Sequence, residues 1–238
     1  MSDDQVREAA PPGGERAVTA RGLRTRERIL DAAERLWGER GVEGVSLREI
    51  RIAAGQRNSS ALQFHFGGRE GLLGALADRH LPRLGAVEAR VRADLVAAGR
   101  GDDVVGLVEV LVRPMAEYLR LGPSERAWVR VCAEQSGRPG VAVVDVLDHV
   151  SPIVLHAGAA VYEHLAATLG GPLAIERIVA VSTACNHLCA DRARVEGAPP
   201  SSGRGEVRPP LPFDDWLANL LDMAVAAMLA PAAHRPGN

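Results

Sequence analysis

The stretch from Leu23 to Leu73 divides into three short helical pieces punctuated by glycines and capping residues, and that punctuation leaves few folds open. In the first piece Ile29, Leu30, Ala33, Leu36 and Trp37 recur at helical spacing, while Arg26, Glu27, Arg35 and Glu39 fall outside the apolar stripe. Gly41 ends it, because the position past a helix end favours the left-handed backbone that glycine adopts freely. The second piece opens on Ser46 with Glu49 three residues on, the reciprocal capping pattern, and Val45 and Ile50 stand at the staple positions around it. Gly55 closes it. The third piece starts at Asn58, an N-cap candidate, and runs through Ser59, Ser60, Ala61, Leu62, Gln63, Phe64 and His65, room for about two turns. So short a helix does not persist alone. It has to be held from behind by the other two, and small polar side chains at its start let backbone approach a groove closely, as a helix reading the DNA major groove does.

The segment resembles the helix-turn-helix domain of the tetracycline-repressor (TetR) family of transcriptional regulators. The resemblance is carried by Arg28 to Ala33, Leu36, Gly41, Ser46 to Ile50, Ala54-Gly55, Leu62, His65-Phe66 and Arg69 to Leu73. It covers about fifty residues, and the rest of the chain is similar only in length and helical character. Three departures stand out. Arg51 occupies a position where the family has a small alanine between the two helices of the motif, the stretch from Gly55 to Phe66 is one residue longer than the common spacing, and Gln63 stands where a tyrosine is usual. Gln at that place can pair with the N6 and N7 edge of adenine.

Composition agrees with an all-α chain: 47% of the 238 residues are hydrophobic but only 3% aromatic, and Ala, Leu and Val suit helices. All 28 basic residues are arginine, for which a GC-rich coding sequence is explanation enough. Net charge is -2 overall, yet residues 21 to 70 hold ten Arg against seven Asp and Glu, a net +3 that marks this end as the candidate DNA face. Residues 1 to 20 read as a disordered arm, with Arg21, Arg24 and Arg26 placed to bring its end near phosphates. No apolar run of membrane-spanning length or signal-peptide character occurs, and Cys132, Cys185 and Cys189 form no disulfide framework. A cytoplasmic protein with free thiols is expected.

Residues 21 to 68 thus form the expected DNA-binding domain and residues 69 to 238 a helical body, with Gly67-Gly68 between them. The body reads as helices from Arg69 to about Ala98, with Pro82 placed to kink it, from Asp103 to about Leu121, and from Ser124 to near Gly137. An apolar stretch from Val141 to Val150 precedes a helix that Ser151-Pro152 opens and Gly170-Gly171 ends. Two more span Pro172 to about Val195 and Phe213 to about Leu229, separated by a Pro, Gly and Ser rich loop over 196 to 212 that is expected to be mobile. Their apolar residues, Ile175, Ile178, Val179, Val181 and Leu188 on one and Trp216, Leu217, Leu220, Leu221, Val225 and Met228 on the other, need covering. The resemblance implies that this pair meets its two-fold mate in a homodimer, with heads one DNA turn, roughly 34 Å, apart.

No Gly-rich phosphate loop, nucleophile elbow or paired acid-base motif is present, so no catalysis and no cofactor are expected. His149, His156 and His164 sit too far apart along a helix to share one metal ion, and Cys185 and Cys189 form an i,i+4 pair with His187 turned away, a pattern of small residues between helices. No metal is expected either. Met115, Tyr118, Trp128, Cys132, His156, Tyr162 and His164 are the larger or polar-tipped side chains of the middle helices, and they form the candidate lining of a pocket for a small-molecule effector. The mechanism implied by the resemblance is repression: the dimer holds a palindromic operator until a ligand favours another head separation.

For the DNA contacts, the resemblance places Ser46 and Arg69 on phosphates, and the recognition piece offers Arg57, Asn58, Ser59, Ser60 and Gln63 to base edges and nearby phosphates, with His65 on backbone. Phe64 and Phe66 are expected to hold that helix to its neighbours. Two other readings compete: a ligand-binding or enzymatic helical bundle that merely begins with such a motif, and an adaptor whose head binds protein.

Overall fold

The computed structural model describes residues 20–58, 60–136, 150–197 and 211–232. Residues 1–19 of the expected arm, Ser59, His149 with most of the apolar stretch around it, and residues 198–210 of the expected loop lie outside the described residues. Among those described there are nine helices and no strand: α1 Ala20–Arg40, α2 Leu47–Ala53, α3 Ala61–Phe66, α4 Arg69–Ala97, α5 Val104–Tyr118, α6 Pro123–Ser136, α7 Pro152–Leu169, α8 Gly171–Gly197 and α9 Phe213–Leu229. The chain is all-α.

The head is α1, α2 and α3. Ile29, Leu30, Ala33 and Trp37 of α1 are buried together with Val42, Val45, Ile50, Leu62 and Phe66, so the stripe of the first helix is the floor on which the other two sit. Gly41, with φ +81°, takes the left-handed turn that ends α1. At α2 the Ser46 hydroxyl accepts from the Glu49 backbone N–H at 3.2 Å while the Glu49 carboxylate accepts from the Ser46 N–H at 2.8 Å, the reciprocal cap expected there. The third helix starts later than its sequence suggests. Asn58 does not cap it directly: its carboxamide oxygen accepts from the Ser60 N–H at 3.0 Å and the Ser60 hydroxyl at 2.8 Å, closing a local turn, and Ser60 stands at the N-cap.

The body is stacked on the head through α4 and α6. The Gly38 Cα lies so close to α6 that a Cβ there would stand 2.7 Å from that of Ala127, which is why glycine occupies the last turn of α1. One turn further, the Glu134 carboxylate of α6 accepts from the Val42 N–H at 2.7 Å and the Glu43 N–H at 3.3 Å, holding the turn that follows α1. Helix α5 runs through the middle of the body, with Leu107, Val108, Val110, Val112 and Ala116 buried, and it packs against α4, α7, α8 and α9. Buried carboxylates of the body take arginines from its rim: Glu109 pairs with Arg100 at 2.6 Å, and Glu117 with Arg113 at 2.6 Å and with Arg90. Pro82 and Pro114 lie within the continuous helices α4 and α5.

Helices α8 and α9 cover one side of the body. Ala174, Cys185, Cys189 and Ala193 of α8 and Leu220, Ala224 and Met228 of α9 are buried, and Ile178 and Val181 are half-buried against the core. Ile175, Val179, Leu188 and Val195 of α8 and Met223 of α9 stay exposed by 36% to 49%. At about 100° per residue, Ile175 and Val179 fall on one side of α8 and Leu188 and Val195 on another.

Candidate nucleic-acid interface

Helix α3 is divided cleanly between a held face and a free one. Ala61, Leu62 and Phe66 are buried against the other two helices, whereas Ser60, Gln63 and Phe64 are exposed and His65 is half-buried. Arg57 and Asn58, which lead into the helix, are exposed as well. Of the recognition candidates, Arg57, Asn58, Ser60 and Gln63 therefore share one solvent-facing run, and Ser59 lies outside the described residues. Phe64 is the residue that sequence reasoning misplaced. It is 69% exposed, edge-on to the His65 ring at 5.1 Å, and so presents an apolar surface beside Gln63 instead of anchoring the helix as Phe66 does.

The turn that aims this helix is built by the first two departures together. Arg51 extends from α2 and its Nη1 donates to the carbonyls of Gln56 at 2.7 Å and Arg57 at 3.2 Å, while the Gln56 side chain donates to the Ala54 carbonyl at 3.1 Å. A longer turn leaves more carbonyls without helical partners, and a planar cation with several donors can gather two of them at once. The side chain that replaces a small alanine thus supports the extra residue. Gly55, with φ +66°, lets the turn start.

Ser46 and Arg69 also serve the head itself. The Ser46 hydroxyl is exposed but also donates to the Glu49 carboxylate at 2.8 Å. Hydrogen bonds from the Ser46 backbone and from Arg40 hold the Glu49 carboxyl down at about 2, against an ordinary 4.5. Arg69, at the start of α4, donates through Nη1 to the Val42 carbonyl and through Nη2 at 3.0 Å to the Val45 carbonyl. It ties α4 to the turn between α1 and α2. Arg26, expected near phosphates, lies over the Phe66 ring at 5.3 Å and beside Glu27.

Deeper, a polar cluster joins head to body. His80 of α4 is fully buried, with Nδ1 2.8 Å from the Tyr118 hydroxyl of α5, Nε2 3.1 Å from the Glu34 carboxylate of α1, and its ring stacked on Trp128 of α6 at 4.9 Å. Arg79 beside it reaches Glu27 at 2.5 Å, Asp31 at 2.8 Å and Glu34 at 3.2 Å. Burial raises the Glu34 carboxyl, but hydrogen bonds from His80 and Ser124 and the charge of the cluster more than offset it and leave the group below its ordinary value. Burial pushes the Tyr118 hydroxyl up.

This cluster takes two of the expected pocket residues, Tyr118 and Trp128, into the core as partners of His80, a residue that no local pattern in the sequence singles out. Met115, Cys132 and Tyr162 are partly buried against the same core, and the Tyr162 hydroxyl packs 2.9 Å from where a Cβ of Gly171 would be. His156 and His164 are exposed on α7 and do not join them. The thiols of Cys132 and Cys189 are pushed up to about 12 by burial, and all three cysteines are free. No group of three metal-ligating side chains occurs among the described residues, and no helix among them is long and apolar enough to cross a membrane.

A short helix whose inner face is held by two others and whose outer face carries Ser60, Gln63 and Phe64 into solvent is the arrangement of a helix-turn-helix DNA-binding domain. Residues 29–76 match the family model described as bacterial regulatory proteins, tetR family, so the head is a tetR-type DNA-binding domain. Similar solved structures include Salmonella enterica GusR, 21% identical over 89% of this chain and 98% of the other with a TM-score of 0.44. A gamma-butyrolactone receptor described as ArpA-like is 24% identical over 87% of this chain and 97% of the other, with a TM-score of 0.32. No curated protein matches the chain significantly.

Proposed function

We propose that the protein regulates transcription as a homodimer whose two heads read a palindromic operator, and that it represses until a small molecule bound in the body changes the separation of the heads. What carries this reading is the face of α3: Ser60, Gln63 and Phe64 exposed in a row behind Arg57 and Asn58, on a helix whose other side is fully committed to the head. Gln63 supplies the paired donor and acceptor that recognise adenine, Phe64 beside it suits the methyl group of thymine, and Arg57, Asn58, Ser60 and His65 supply donors to phosphates and base edges. Ser46 contributes at the start of α2 through whatever donor capacity its cap leaves. Arg69 serves a phosphate with the N–H groups left over from the two it gives to the Val42 and Val45 carbonyls, which fix where its guanidinium stands.

The dimer forms through α8 and α9, where Ile175, Val179 and Met223 need covering. Effector binding acts through the contact of α4 and α6 with α1, since the His80 cluster and the Glu134 link leave few ways to move the body without moving the head. The test is base-specific. Gln63→Ala should lower affinity for the operator and relax preference at one base pair while binding to random DNA stays within about twofold, since a bidentate base contact is worth roughly 1–3 kcal/mol. Equal losses on both DNAs would overturn the assignment of α3 as the reading helix.

A further inference from the structure

The head holds a cleft of about 630 Å³ between the start of α1 and the turn that leads into α3, lined by Arg24, Thr25 and Arg28 on one side and Gln56, Arg57 and Asn58 on the other. Three arginines line it and no carboxylate does. None of the three has an ion-pair or hydrogen-bond partner among the described residues. Most other described arginines are paired, Arg48 and Arg126 excepted: Arg79 reaches three carboxylates, Arg100 meets Glu109 at 2.6 Å, and Arg192 meets Glu196 at 2.9 Å. Arg24 and Arg28 stand four residues apart on the same face of α1, a like-charge pair that opposes the helix unless an anion lies between them.

The turn side of the cleft is prepared for an anion too. The carbonyls of Gln56 and Arg57, acceptors that would repel one, are already taken up by Arg51. Gly55, exposed and with nothing within 4 Å of where a Cβ would stand, keeps the rim low. Thr25 adds a hydroxyl donor. The cleft also opens directly beside Arg57 and Asn58, the residues that run into α3, so whatever fills it fixes where that helix lies.

We propose that this cleft is a phosphodiester seat: a backbone phosphate of the DNA strand flanking each half-site enters it, held by Arg24 and Arg28 from α1 and by Arg57 from the turn. The seat sets the register of α3 on the duplex and carries no sequence preference itself. This rests on the reading of the head as a DNA-binding domain, and it joins Arg28 to Arg24, already expected near phosphates, as a clamp acting from a different helix than the reading one.

The test uses the full chain and a DNA fragment recovered by selecting genomic fragments on the purified protein, with binding followed by fluorescence anisotropy over a series of salt concentrations. Arg28→Gln and Arg24→Gln should each make the slope of log K against log salt shallower by about 0.9 for every phosphate that is no longer neutralised, while the ratio of operator to random-sequence affinity holds. Arg126→Gln on α6, matched in charge and outside the head, should leave the slope unchanged. In a second arm, neutral methylphosphonate linkages are placed one at a time beside the half-site. One position should weaken the wild type and leave Arg28→Gln unaffected. Variants that keep the wild-type thermal midpoint and the wild-type salt slope would overturn the seat, as would loss of the operator preference alone. If inorganic phosphate, added at constant ionic strength, saturates the cleft while the variants' DNA slopes stay unchanged, the seat belongs to a free anion and the proposal fails. A wild-type protein that retains no fragment at all refutes the DNA-binding reading itself, and that outcome is read before any variant is made.

Discussion

Replacing Arg51 with alanine removes one side chain and asks whether it aims the reading helix. Its guanidinium donates to two successive carbonyls of the turn, at 2.7 Å and 3.2 Å. Hydrogen bonds from a charged donor contribute about 1.5–3 kcal/mol each when dry. Here Gln56 is half-buried and Arg57 exposed, so water replaces much of what is removed, and about 1–2 kcal/mol is the reasonable total. That energy separates the turn seen here from looser alternatives. If the variant samples those alternatives, the competent fraction falls and the apparent operator affinity drops by about fivefold to thirtyfold per head. Random-sequence DNA, held through phosphates, should lose less than about twofold. Anisotropy titrations on the operator and on a scrambled duplex at matched salt measure both. Arg51→Lys, which keeps the charge but not the planar fork, should fall between. Equal loss on the two duplexes, or no loss on either, would refute the idea that Arg51 supports the longer turn for recognition.

Tyr118→Phe leaves one buried nitrogen of His80 without its partner and should cost about 1–3 kcal/mol of stability, seen as a lowered urea midpoint at unchanged slope; a midpoint within error of the wild type would show the bond to be replaceable. Because the Glu49 carboxyl is held at about 2 in the folded chain against an ordinary 4.5, the stability it contributes is complete above about pH 4.5 and is lost as pH falls toward 2. Glu49→Gln should therefore be less stable than the wild type at pH 5.5, with the difference narrowing by pH 3; a constant difference would mean that charge is not its source. Ile175→Glu together with Val179→Glu should convert the dimer to monomer in sedimentation velocity and weaken operator binding more than tenfold. A variant that stays dimeric would place the interface elsewhere.

Much of the head is legible in its sequence because its signals are local. Ser46 with Glu49, Gly41 after α1 and the stripe of Ile29, Leu30, Ala33 and Trp37 each act within a few residues, and the structure shows them as caps, stop and core. Phe213–Leu229 likewise appears where the apolar pattern puts it. The start of α3 is misjudged because Asn58 can close a turn as readily as it caps a helix, and Phe64 is misjudged because a six-residue helix offers too short a pattern to fix which aromatic faces inward. What sequence cannot show is partnership at a distance. The Arg69 guanidinium looks the same whether it meets a phosphate or the Val42 and Val45 carbonyls, and His80 meets Glu34 and Tyr118 across 46 and 38 residues. Arg51 marks an intermediate case, a departure visible in the sequence whose purpose only the turn geometry explains.

Sequencing of genomic fragments retained by the purified full-length protein, at near-physiological salt, is the most direct test of a dimeric operator-binding regulator. Enriched fragments should share one inverted repeat whose half-site centres lie about one helical turn, roughly 34 Å, apart. Retention of fragments in proportion to input, or enrichment of sequences with no two-fold repeat, would contradict it.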